Sequence, residues 1–184
     1  MVGLCGCGFG LTLMLRAHLG LSPWDVLSQG VSLRLNIAFG TASILIGAIV
    51  LLFWIPLRNR PGFGTIANAI LIGTWANLFI TVIPVSSSYL QSVWMFLTGL
   101  LLVGGASGLY ISANLGAGPR DGLMLGLATK LNKPVWLIRT LVELTVLGIG
   151  WAMGGQFREG TIIFALTIGW LMQRSMKLFA IKSR

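Results

Sequence analysis

Along the chain, long apolar runs alternate with short interruptions rich in Gly, Pro and charged residues. Most runs reach the roughly 17 to 23 residues that a helix needs to cross a hydrocarbon core about 30 Å thick. The pattern predicts a long helix ending near Ala17, a short segment from Pro23 to about Leu33, and long helices from about Ile37 to Leu57 and Gly64 to Ile83. It then predicts the same series again: Val93 to Ala113, a short segment from Pro119 to about Leu131, then Pro134 to Met153 and Thr161 to Phe179. Each short segment covers only about 18 Å at ~1.5 Å per residue. Neither crosses comfortably at that length.

The recurrence is a duplication. Pro23 and Pro119 stand 96 positions apart, and that single offset places Leu19, Gly20, Asp25, Leu27 and Gly30 on Leu115, Gly116, Asp121, Leu123 and Gly126. The same offset carries Leu35-Asn36 onto Leu131-Asn132, and Gly64, Thr65, Ala69 and Gly73 onto Gly160, Thr161, Ala165 and Gly169. Shared greasiness matches Leu with Ile, but it does not keep Gly, Pro, Asp and Asn in register. The chain therefore reads as a single membrane domain, with repeat one over residues 1–88 and repeat two over 93–184.

Both short segments open as helix N-termini. In SPWD, Ser22 is placed as N-cap, Pro23 at the first helical position, and Asp25 at N3, where a carboxylate meets free backbone N–H groups and the positive end of the dipole. In GPRD, Gly118 takes the cap, Pro119 follows, and Asp121 repeats the acid. Gly20 and Gly116 permit the sharp turn before each.

Composition supports a bilayer setting: 55% of the 184 residues are apolar, only 9% are charged, and the mean hydropathy is +0.88, against about 25% charged in soluble domains. The first run has neither a basic n-region nor a cleavage site, so it reads as a short transmembrane helix with a few further residues expected upstream. The net charge of +9 is scattered at the ends of apolar runs, which fits membrane orientation and not nucleic-acid binding. Six spans with two re-entrant half-helices place Arg58, Arg60, Arg120, Lys130, Lys133, Arg174, Lys177, Lys182 and Arg184 inside. Arg16, Arg34 and Arg158 then lie outside, and Arg139 lies within the membrane. Eight spans nearly erase that bias. An odd number of spans per repeat inverts the second copy, an arrangement common in secondary transporters whose sites lie at broken helices, and both termini are then cytoplasmic.

Four acids occur: Asp25, Asp121, Glu143 and Glu159. Asp25 and Asp121 read as helix caps, or as caps that also bind an ion or substrate beside the half-helix ends. Arg139 and Glu143, at i, i+4 in the fifth span, break the repeat, since their counterparts are Ser43 and Gly47. They read equally as a structural lock and as a functional pair. Arg120 joins these residues as a candidate ligand. GFGT from Gly62 and GGQFREGT from Gly154 read as tight turns with close packing. Asn68, Asn77 and Gln173 read as interhelical hydrogen-bonding groups, and His18, the counterpart of Asn114, as an interfacial residue. The seven Trp read equally as interface anchors and as stacking groups. Cys5 and Cys7 lack metal-ligand spacing, no catalytic motif is present, and neither a cofactor nor a metal is expected.

At LGLSPWDVLSQGVS, PGFGTIAN, LGAGPRDGLM and EGTIIFALTIG, the chain resembles the YczE/YitT group of bacterial integral membrane proteins, and the YczE branch in particular. The resemblance covers nearly the full length. It implies a multi-pass protein of the bacterial cytoplasmic membrane, with a transporter or exporter role suggested for some relatives. Two functional expectations follow. One is a small-molecule secondary transporter with its site between the half-helices. The other is a non-transporting membrane partner of an enzyme or complex. The expected partners are the lipid bilayer, an unidentified small molecule and, as an option the sequence leaves open, a second copy of the chain.

Overall fold

The computed structural model describes residues 1–113 and 115–179. Asn114 and the terminal charges Lys182 and Arg184 lie outside them. Among the described residues, every regular element is an α-helix: α1 (Val2–Ala17), α2 (Pro23–Leu35), α3 (Phe39–Leu57), α4 (Phe63–Val82), α5 (Tyr89–Ser112), α6 (Pro119–Leu131), α7 (Val135–Ala152) and α8 (Glu159–Phe179). Four of these, α3, α4, α5 and α7, are long and apolar enough to cross a membrane. At 16 residues α1 is shorter, and α8, though 21 residues long, ends in polar sequence that includes Gln173, Arg174 and Lys177. Large apolar side chains such as Leu52, Phe53, Ile55, Leu101, Leu144 and Leu166 face outward, a surface suited to lipid and costly in water.

The short helices α2 and α6 are 13 residues each. Both stop at an asparagine in the left-handed region, Asn36 at φ 52° and Asn132 at φ 51°. Asn tolerates that conformation better than other residues with a Cβ. The paired Leu-Asn dipeptides are thus C-caps, and α2 runs two residues past its predicted end at Leu33.

The halves interlock by reciprocal contacts. A Cβ on Gly3 would lie 2.8 Å from the Ala106 carbonyl oxygen, and one on the equivalent Gly99 would lie 2.6 Å from the Gly10 oxygen. These contacts pair early α1 with late α5, so the two helices run antiparallel, backbone against backbone. The pattern extends outward. Gly8 admits Trp75 of α4 against α1, and the equivalent Gly104 admits Leu171 of α8 against α5. Between the halves, α2 packs on α7 and α6 on α3. Gly150 lets α7 approach the backbone of Val26 and Leu27, while Gly122 receives the Trp54 ring.

The symmetry fails at one seam. α3 packs along α4, with Gly40 against Gly73 and Asn77 accepting from Gly40 N at 2.7 Å while donating to Thr41 Oγ1 at 3.2 Å. The equivalent helices α7 and α8 do not pack along one another. The substitutions explain why: where α3 has Gly40 and Gly47, α7 has Trp136 and Glu143, side chains too large for that approach.

Candidate functional site

The turns before α2 and α6 are held by the opposite half. Gly64 N donates to Leu115 O and Gly160 N donates to Leu19 O, both at 2.8 Å. Gly20 and Gly116 have φ near +120°, a region open to glycine. A Cβ at either would also lie within 2.8 Å of Thr161 or Thr65. Thr65 Oγ1 donates to Ala117 O at 2.7 Å, and Thr161 Oγ1 accepts from Leu21 N at 3.1 Å. The glycine–threonine strings therefore pin the N-termini of α2 and α6 in place. Trp54 adds a bond from its indole N–H to Pro119 O at 3.0 Å.

These clamps bring the two N-termini together. Ser22 caps α2, its hydroxyl oxygen accepting from Asp25 N at 3.3 Å and its O–H meeting the Asp25 carboxylate. The second Asp25 oxygen accepts from Arg120 Nη2 at 2.9 Å. Arg120 crosses from repeat two to do so, and its guanidinium also lies over the Trp24 ring at 5.6 Å. Asp25 thus meets a hydroxyl and a guanidinium, in addition to the dipole that the sequence anticipated. Gly118 caps α6 without a side chain.

A cavity of about 370 Å³ opens between the termini. Asp25, Asp121, Arg120, Arg139 and Glu143 all line it, as do the cap residues Ser22, Pro23, Gly118 and Pro119. Within it, Arg139 Nε donates to Glu143 Oε1 at 3.0 Å. Among the described residues, Asp121 has no ion-pair or side-chain cap partner, and the buried indole N–H of Trp24 has no acceptor. Both arginines are engaged by acids, and one acid is left over.

Other residues settle differently. Asn77 bridges helices, Asn68 reaches the cavity wall, and Gln173 is exposed. His18 ends α1 in the left-handed region and contacts Gln156. Trp94, Trp136, Trp151 and Trp170 face outward, whereas Trp24 and Trp54 are buried. Cys5 and Cys7 are free thiols, Cys7 in the cavity wall. Sequence reasoning missed Tyr110, Ser107 and Met124 as lining residues. Only the packing of α1, α5 and α6 turns them inward.

A family described as "Family of unknown function (DUF6198)" matches residues 1–177. An uncharacterised membrane protein of Bacillus subtilis, YczE, is 36% identical over 95% of this chain and 82% of its own length. An uncharacterised protein of Haemophilus influenzae is 35% identical over 94% of this chain and 79% of its own length. YyaS of Bacillus subtilis, also uncharacterised, is 25% identical over 96% and 90%. The resemblance carried by the Gly-Pro-Asp strings is thereby borne out. No solved structure matches.

Proposed function

The chain belongs to this family of unknown function and is a membrane protein, and from that premise we propose that it is a small-molecule transporter or exporter of the bacterial cytoplasmic membrane. In this reading it has six spans in two inverted three-span repeats, with α2 and α6 as re-entrant half-helices and both termini cytoplasmic. The antiparallel packing of α1 against α5 supports the inversion, since equivalent spans run in opposite directions. The length of α2 and α6 supports re-entry: 13 residues rise only about 20 Å.

The observation that carries the proposal is convergence. Polar residues from both halves surround one cavity in an otherwise apolar molecule, and intramembrane ionisable groups facing an interior space mark solute or ion paths. A solid interior would favour the non-transporting partner; a cavity reaching Asp25, Asp121 and Glu143 favours transport. The proposed role is non-enzymatic.

The test is efflux. Proteoliposomes loaded with a bacterial metabolite extract are assayed by mass spectrometry for solutes lost faster than from empty liposomes. Asp121→Asn and Glu143→Gln are expected to cut that loss at least about tenfold. Unchanged loss in both variants removes the acids from the mechanism, and no protein-dependent loss at all removes transport.

A further inference from the structure

The open seam between α7 and α8 gives the cavity a side entrance. Ala165 and Gly169 of α8 line the cavity and are nevertheless exposed, whereas their equivalents Ala69 and Gly73 sit against α3. Arg139 is exposed where its equivalent Ser43 is buried. A Cβ at Gly169 would meet nothing within 4 Å. Glu143 lies eight residues into α7, about 12 Å from its start, so the gap stands well inside the apolar zone. On the same two helices Trp136, Leu144, Ile162 and Leu166 are exposed apolar side chains.

The cavity's unmet groups describe what fits. Among the described residues Asp121 makes no direct ion pair, while Asp25 and Glu143 hold the guanidinium groups of Arg120 and Arg139. The dipole at the α6 N-terminus offsets part of that charge, and a cation completes the rest. The walls are otherwise apolar and aromatic, with Ile46, Val50, Ile72 and Phe164 among them.

We propose that this cavity takes an amphiphilic amine, admitted sideways from the bilayer through the α7–α8 seam. The amine faces Asp121, and the apolar tail extends toward the seam. The proposal rests on the central cavity being the transport site, but its own test reads binding and not flux.

Radiolabelled 2-amino-1-decanol, ethanolamine and decyl sulfate are added to the protein in nanodiscs, with empty nanodiscs subtracted. Saturable binding is expected for 2-amino-1-decanol alone, weakened at least about tenfold by Asp121→Asn, the loss of one desolvated charge pair. Gly169→Trp fills the seam with no neighbour to displace and is expected to slow association about tenfold or more. Gly148→Trp, equally unopposed but away from the cavity, leaves the rate unchanged. Equal binding of ethanolamine overturns the amphiphile, and preference for decyl sulfate overturns the cation. An unaltered association rate in Gly169→Trp overturns the side entrance, including the case in which a second copy covers the seam. Specific binding without protein-dependent efflux upholds this inference and removes transport alone.

Discussion

Arg120, the second residue of α6, reaches 2.9 Å to the carboxylate of Asp25, the third residue of α2. One ion pair thereby ties the N-termini of the two short helices to each other. The repeat position equivalent to Arg120 is Trp24, so the molecule has one such tie and not two.

That tie is partly exposed on the arginine side, with 33% of its side chain accessible against 9% for Asp25. Arg120→Ala is expected to cost about 1–3 kcal/mol, below the range for a fully buried pair left half-broken. Thermal unfolding in detergent, at roughly 2–4 °C per kcal/mol, reads the loss. Asp25→Ala with Arg120→Ala is expected to cost less than the sum of the singles, and strict additivity would show the pair to be uncoupled.

Equivalent glycines should behave differently. Gly73→Leu forces α4 off α3 and is expected to destabilise by about 1–3 kcal/mol. Gly169→Leu, which meets open space, is expected to stay within about 0.5 kcal/mol of the parent. Matching melting temperatures for the two variants would contradict the asymmetric seam.

Trp54 and Gly122 form a large–small pair at the α3–α6 contact. Gly122→Val drives two methyl groups into the ring and is expected to cost about 1–3 kcal/mol. Trp54→Phe keeps most of the packing, loses the bond to Pro119 O, and is expected to cost about 1 kcal/mol. The double variant Gly122→Val/Trp54→Ala should recover part of the first loss, as a double-mutant cycle of melting temperatures would reveal.

The helix stops at Asn36 and Asn132 depend on positive φ. Asn132→Gly is expected to be neutral or slightly stabilising, whereas Asn132→Val costs about 1–2 kcal/mol. Comparable stability for Gly and Val there would rule out the left-handed cap.

The sequence by itself determined the helical class, the duplication and the places where each short helix starts. Those features are local, written in the spacing of apolar residues and in Ser, Gly, Pro and Asp at fixed positions near a helix end. It also carried the cause of the open seam, since Trp136 and Glu143 replace Gly40 and Gly47 at the shared offset, but nothing in one strand of text says that Gly40 faces Gly73. The partner of Asp25, and the absence of an ion-pair partner for Asp121 among the described residues, were decided only by tertiary structure. Arg120 lies next to Asp121 in the chain yet pairs with Asp25, because the glycine–threonine clamps of one half fix the N-terminus of the other. Side chains 95 positions apart meet through that packing, whereas helix periodicity and capping act within a few residues.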